Sequence, residues 1–306
     1  MSAEPLRVVY VAGYGHSGST LLNILLGQVP WVMGAGELFR LSGAAWPKGE
    51  FCSCGRTLPT CPVWGEVVHL WSRAVDGDAI SSYRRLQQAC EGWSAPIAGR
   101  EAWADYARHT TGLFMAIREV TGRSIVIDSS KLPGRARALA RVPGIDLRLV
   151  HLVRDGRGVA WSMRRRLARD PQAGVQVPKR ARSVIRTGLL WMGTNLAVER
   201  TARGLGERRA MRLAYEELVA DPALALDRLG GTLGTDLSPL AAQLAAGEPL
   251  AAGHVMAGNR LRMDGALRLR ADLDWQAQLP VGQRRLFEQL CRPVLRRYGY
   301  LAAPAA

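Results

Sequence analysis

The first dense apolar run along the chain is Leu6 to Ala12, and three more β-rich runs follow at Ser124 to Asp128, Leu147 to Val153 and Met211 to Ala214. Each leads into small or polar residues and then into apolar positions at helical spacing. Strand, turn and helix in repetition predict an α/β fold, a central parallel sheet flanked by helices. The long interval between the first two runs holds two helical patterns, Ala79 to Gly92 and Arg100 to Thr121. The second passes through Trp103, Tyr106, Ala107, Thr110, Leu113, Phe114 and Ile117, and together they predict a helical cap, roughly residues 65–122, beside the sheet. Arg182 to Gly204 reads as a helix through Leu189, Leu190, Trp191 and Leu196, and Pro280 to Leu301 as one that buries Leu286, Phe287, Leu290, Val294 and Leu295. Mobile loops are expected at roughly 169–183, which is basic and bounded by prolines, and at roughly 246–270. No repeat or linker divides the chain, so one domain over 1–306 is expected.

Composition excludes a disordered, collagen-like or disulfide-scaffold chain: 48% of the 306 residues are hydrophobic and 22% charged, with 33 Gly and 16 Pro. The longest apolar stretch, Leu21 to Gly36, is interrupted by Asn23 and Gln28, and the start lacks a signal-peptide layout. The expectation is a soluble, cytoplasmic protein with no membrane span. The formal charge is +15, and of 41 basic residues only those at 48, 131 and 179 are lysine. Arginine's planar fork suits phosphate and sulfate, although a coding bias toward arginine would give the same total, so position must decide. Five cysteines in a chain without an export signal point to mostly reduced thiols.

Position is informative at Gly13-Tyr14-Gly15-His16-Ser17-Gly18-Ser19-Thr20, which follows the first strand and opens the helix Leu21 to Leu26. Backbone amides converging at a helix N-terminus form an anion cradle. The spacing matches the phosphate loop of nucleotide triphosphatases, except that Ser19 stands where their lysine belongs, which disfavours an ordinary ATPase or GTPase. A second anion site follows the third strand. Arg154 ends that strand, and Ser162 and Arg166, four apart, are expected on one face of the next helix, where a hydroxyl and two guanidiniums can surround a dianionic phosphate. Arg164 and Arg165 are explained by a solvated helix face.

In both regions, and in their order, the chain resembles the sulfotransferases that use 3'-phosphoadenosine 5'-phosphosulfate. It is most similar to the protein-tyrosine sulfotransferase branch and its bacterial relatives. The resemblance implies that Gly15 to Thr20 hold the 5'-phosphosulfate and that Arg154, Ser162 and Arg166 hold the 3'-phosphate. It implies nucleotide contacts from Tyr215, in Leu213-Ala214-Tyr215-Glu216-Glu217-Leu218, and from Asn259 and Arg262 in the late loop. It makes Glu37, in Gly36-Glu37-Leu38, the base, although a helix-start carboxylate would look the same. Lys131, closing Asp128-Ser129-Ser130-Lys131, sits where relatives keep a lysine that stabilises the transferring group. His16 departs from the family, which usually carries Lys or Arg there; a histidine in this place can donate to the bridging or sulfuryl oxygens. The resemblance implies a co-substrate, product 3',5'-adenosine bisphosphate, and no required metal. No paired carboxylates suited to magnesium are visible in the sequence.

Cys52, Cys54 and Cys61 invite a zinc reading, but Cys-x-Cys followed by six residues and one cysteine is not a standard four-ligand pattern, even counting His69. A structural turn, a local disulfide and an acceptor-side loop remain open. Cys90 and Cys291 read as buried apolar groups. Trp103, Trp191 and Trp275 suit either core or an acceptor pocket.

The sequence therefore predicts a sulfotransferase acting on a hydroxyl of a small-molecule, glycan or lipid acceptor, in a chain compatible with a homo-oligomer. Two other readings compete. One is a nucleotide or small-molecule kinase with a degenerate phosphate loop, disfavoured by Ser19 and the missing magnesium carboxylates. The other is a basic nucleic-acid-binding module, for which no basic stripe interleaved with aromatics is present, so no nucleic-acid partner is expected.

Overall fold

A computed structural model describes residues 5–92, 95–176, 178 and 180–302. Val177 and Lys179, inside the loop expected over 169–183, lie outside the described residues, as do the chain ends at 1–4 and 303–306. The five strands are β1 (Leu6–Ala12), β2 (Val32–Gly36), β3 (Ile125–Lys131), β4 (Ile145–Val153) and β5 (Ala210–Ala214). They form one parallel sheet in the order β2-β3-β1-β4-β5. This is the expected α/β sheet with one strand more than the sequence indicated. The extra strand, β2, reads Val-Met-Gly-Ala-Gly, short and with two glycines, and Val32 alone is of the branched and aromatic kind that marks a strand.

The helices are α1 (Ser19–Leu26), α2 (Pro62–Ala74), α3 (Ala79–Glu91), α4 (Arg100–Thr121), α5 (Pro133–Leu139), α6 (Gly156–Met163), α7 (Val184–Leu205), α8 (Tyr215–Ala220), α9 (Pro222–Leu233), α10 (Ser238–Ala245), α11 (Trp275–Gln278) and α12 (Val281–Arg297). Strand alternation explains how they are distributed. Leu6, Val8, Tyr10 and Ala12 of β1 point into a core with Trp64 and Trp71 of α2, Leu113 of α4 and Leu139 of α5. Val9 and Val11 point the other way, against Leu22 and Leu25 of α1 and Leu226 and Leu229 of α9. A third cluster joins Val159, Trp191, Phe287 and Leu295 from α6, α7 and α12.

The helices α2 to α4 occupy the region expected to form the cap, and a buried ionic network ties them to the sheet. Arg135, fully buried, donates Nε to Asp128 Oδ2 (2.7 Å) and Nη1 to Glu91 Oε1 (2.5 Å), while the Tyr106 hydroxyl donates to the same Glu91 oxygen (2.8 Å). Asp128 also accepts from the Ser130 amide (3.0 Å), so the network fixes the backbone just before Lys131.

The structure settles which side of α7 is packed and corrects the buried face expected of α12. On α7 only Trp191 of the four named residues is buried; Leu189, Leu190 and Leu196 are exposed, because apolar residues run around most of this helix and the packed side is the one facing α6, α12 and β4. On α12 Leu286 is exposed, while Phe287, Cys291, Val294 and Leu295 form the buried stripe. The stretches expected to be mobile loops hold little regular structure: bridges Asp170 to Val175 and Leu250 to Leu267, and one helical turn at Arg260–Met263. Among the described residues no helix is long and apolar enough to cross a membrane.

Candidate active site

The carboxyl ends of all five strands open into one cavity of about 880 Å³. This is where an open parallel sheet binds ligands, since strand-end loops and helix N-termini converge there. Gly15, His16 and Gly18 reach it after β1, Glu37 after β2, Lys131 at the end of β3, Arg154 after β4 and Tyr215 after β5.

The glycine-rich turn is held tightly. The Gly13 amide donates to the Lys131 carbonyl (3.3 Å), joining the first and third strand ends. Gly18 has φ 93°, and a side chain there would meet the Tyr215 ring at 2.7 Å, so glycine is needed on both counts. Gly18 caps α1 without any side-chain hydrogen bond to the first turn, and the buried Ser17 hydroxyl has no hydrogen-bond partner among the described residues. Uncapped amides at the start of an eight-residue helix and an orphaned hydroxyl beside them fit an anionic group. The Thr20 hydroxyl is engaged instead by the Asn259 amide (3.0 Å), which brings the late loop over the turn.

His16 (φ 66°) and Lys131 (φ 72°) are two of the three non-glycine residues with positive φ among the described residues, and both line the cavity. Such a backbone costs about 1–3 kcal/mol and persists where its surroundings enforce it. His16 Nδ1 lies 2.7 Å from the Ser162 hydroxyl, so the glycine-rich turn and α6 meet at the cavity wall. Lys131 donates its ammonium to Glu37 Oε1, and both side chains are largely buried. Burial pushes the Glu37 carboxyl up. The Lys131 ammonium outweighs this by charge and hydrogen bond, with Arg40 and Arg262 adding to it, so the carboxyl stays below its ordinary value and is ionised at neutral pH.

Arg154 lies beside the glycine-rich turn. Its Nη1 donates to the His16 carbonyl (3.3 Å), its Nη2 to the Asp272 carbonyl (2.7 Å), and its guanidinium stacks 4.6 Å from the Tyr215 ring centre. The Asp272 carboxylate pairs with the same guanidinium at 3.2 Å. The Tyr215 hydroxyl donates to the Arg270 carbonyl (3.2 Å) and accepts from the Asp272 amide (3.1 Å), holding that chain segment in place.

Two candidates fall elsewhere. Helix α6 stops at Met163, so Arg166 is past its end, exposed and away from the cavity wall, and the expected shared face with Ser162 does not exist. Arg165 lines the cavity in its place. Arg262 is buried and donates to the Phe51 carbonyl (3.0 Å), while its neighbour Arg260 lines the cavity. Arg268 and Arg270 also line it, and the sequence offered no signal for them beyond an arginine-rich loop. The lining then carries six lysine and arginine side chains against the carboxylates of Glu37, Asp264 and Asp272, a balance that suits a polyanion. The tryptophans are packing residues: Trp191 is in the third core cluster, Trp275 packs on Arg157 and Gly158, and Trp103 packs on Tyr106 and Arg141.

The structure of a sulfotransferase from Mycobacterium avium aligns over 97% of this chain and 78% of its own with TM-score 0.50 at 13% identity, a likeness of fold. The sulfotransferase domain of the Synechococcus PCC 7002 olefin synthase is 17% identical over 99% of this chain and 90% of its own, with TM-score 0.45. That of the curacin biosynthetic pathway is 16% identical over 94% and 97%, with TM-score 0.47. No curated protein matches the chain. The sulfotransferase family model matches residues 9–239, most of the chain and all five strand ends, and this chain belongs to the sulfotransferase family.

Proposed function

We propose that the protein transfers a sulfuryl group from 3'-phosphoadenosine 5'-phosphosulfate to a hydroxyl of a small-molecule, glycan or lipid acceptor. The observation that carries this reading is the convergence of Glu37, Lys131, the His16–Thr20 turn, Arg154 and Tyr215 on one cationic cavity. In it, the uncapped amides after Gly18 and the Ser17 hydroxyl hold the 5'-phosphosulfate, and Arg154, Ser162 and Tyr215 hold the adenosine 3'-phosphate end. Asn259 closes over the turn through the hydrogen bond that its backbone amide donates to the Thr20 hydroxyl.

Glu37 takes the proton of the acceptor hydroxyl as the acceptor oxygen forms its bond to sulfur. The bond between sulfur and the bridging oxygen breaks in line, and its electron pair stays with 3',5'-adenosine bisphosphate. Lys131 and His16 face the oxygens where charge grows, and Lys131 can leave Glu37 for them because both partners already share the cavity. Preorganised donors of this kind act without reorganisation at the moment of transfer. The described residues that border the cavity beyond the nucleotide-side groups come from the loops, Gln172, Ala173 and Met263 among them, and none comes from α2 to α4. Acceptor choice is therefore assigned to these loops rather than to the cap helices.

Calorimetry with 3',5'-adenosine bisphosphate beside ATP with magnesium tests the reading. Tight binding of the bisphosphate without metal supports it. Preference for magnesium ATP would favour a kinase, and preference for DNA with a steep salt dependence would favour a nucleic-acid module.

A further inference from the structure

Cys52, Cys54 and Cys61 lie in one turn-rich segment between β2 and α2, and the fold brings His254 to them from 193 residues beyond Cys61. All four ligand atoms lie within 4.8 Å of one another. Cys54 Sγ is 3.7 Å from Cys61 Sγ, and His254 Nδ1 is 3.3 Å from Cys61 Sγ and 3.8 Å from Cys52 Sγ. Zinc bonds of about 2.3 Å to sulfur and about 2.0 Å to nitrogen at tetrahedral angles place two sulfurs about 3.8 Å apart and a sulfur and a nitrogen about 3.5 Å apart. We propose that Cys52, Cys54, Cys61 and His254 form a structural zinc site that clasps the segment 253–262 to the cysteine turn. His69, the histidine nearer in sequence, is exposed and outside the cluster.

Two further observations point the same way. The backbones around the ligands are already joined: the Ser53 hydroxyl donates to the Gly253 carbonyl (2.7 Å) and accepts from the Val255 amide (2.8 Å), and the Trp64 indole donates to the His254 carbonyl (2.7 Å). A ligand set held this way loses little freedom on binding a cation. The second observation is Arg262. Its buried guanidinium donates to the carbonyl of Phe51, the residue before Cys52; its Nε has no partner, and no carboxylate among the described residues lies within ion-pair distance. Its nearest opposite charges, Glu50 and Glu37, lie beyond ion-pair distance, and a buried cation so weakly compensated is costly. When zinc binds, three thiols release their protons to solvent and His254 coordinates as neutral imidazole, leaving a centre of net charge −1 beside that guanidinium.

The segment so held continues to Gly258 and Asn259, which wall the cavity against Thr20. The proposal concerns the clasp alone and stands whatever the cavity binds.

The test uses the full chain purified with its thiols reduced. Elemental analysis is expected to find about one zinc per chain after gel filtration, and cobalt exchanged into the site to give thiolate charge-transfer bands and the intense visible bands of tetrahedral coordination. Cys54→Ser, at the exposed ligand, is expected to lower zinc retention at least about tenfold. Chelation is expected to speed hydrogen exchange over residues 253–262. A reduced wild-type chain that takes up neither zinc nor cobalt overturns the site, as does a Cys54–Cys61 disulfide found by mass spectrometry in the native chain. Unchanged exchange over 253–262 after metal removal overturns the clasp. Zinc content is read without donor or acceptor, so its failure is distinct from a failure of the sulfuryl-transfer reading.

Discussion

Lys131 and Glu37 form an ion pair in the cavity wall although they come from different strand ends, 94 residues apart. The Gly36–Glu37 turn follows β2, and Lys131 closes β3, whose register against β1 shifts between Tyr10 and Ala12 so that Ala12 faces Lys131. The pairing holds the Glu37 carboxylate ionised and keeps the Lys131 ammonium at the cavity wall.

Removing the cation should therefore change the pH dependence as well as the rate. In Lys131→Met, burial is left to act on Glu37 with less opposition, so its carboxyl moves up from a value now held below normal. The acid limb of the kcat/KM profile is expected to move to higher pH, and the plateau to fall on the order of 10²-fold. A lowered plateau with an unmoved acid limb would show that the limb does not report Glu37.

Glu37→Gln keeps the shape of the side chain and a polar contact to Lys131 but cannot accept a proton. Turnover is expected to fall on the order of 10²-fold or more, with binding of 3',5'-adenosine bisphosphate nearly unchanged. Turnover within a few-fold of wild type, in a variant with unaltered thermal unfolding, would remove Glu37 from the proton transfer.

The strand ends were legible because local chemistry marks them: a glycine-rich turn after an apolar run, or an Arg-Asp-Gly after another. What escaped depends on facts that no local window contains. Whether Arg165 or Arg166 faces the cavity turns on α6 stopping at Met163. The direction of Arg262 is set by the Phe51 carbonyl, 211 positions away. The fourth member of the cysteine cluster comes from the late loop, far outside any spacing rule. On α7 the apolar residues surround the axis, so the pattern identified a helix without identifying its packed side.

His151, near the carboxyl end of β4, gives a prediction about stability. Its ring is buried and lies 3.1 Å by Nε2 from Asn195 Oδ1, whose amide nitrogen donates to the Trp191 carbonyl. Burial pushes the imidazole down to about 4, from an ordinary 6.5. Between those values the unfolded chain binds a proton that the folded chain refuses, so the stability present above pH 6.5 is lost as pH falls toward 4. The full effect is about 3 kcal/mol, of which about 2 kcal/mol is lost by pH 5. Urea unfolding of wild type and His151→Gln at pH 7 and 5 measures it. The variant is expected to lose about 2 kcal/mol less than wild type over that interval. Equal losses would mean that the ring takes up its proton without unfolding.

Arg154 is paired with Asp272, whose side chain is partly exposed, so an incoming phosphate must take the guanidinium from a carboxylate. The two residues should act in opposite directions on affinity. Arg154→Lys keeps the charge but loses both the fork and the flat contact with Tyr215, and is expected to weaken 3',5'-adenosine bisphosphate about tenfold or more. Asp272→Asn keeps the backbone carbonyl that accepts from Arg154 and the amide that donates to Tyr215, while removing the competing charge, and is expected to tighten binding. The tightening should shrink as salt is raised, because the carboxylate it removes is partly screened by solvent. Calorimetry on the two variants and the double variant resolves the coupling. If Asp272→Asn tightens the bisphosphate equally with and without the arginine, the carboxylate acts on the ligand by long-range repulsion and the pair is not an exchange site.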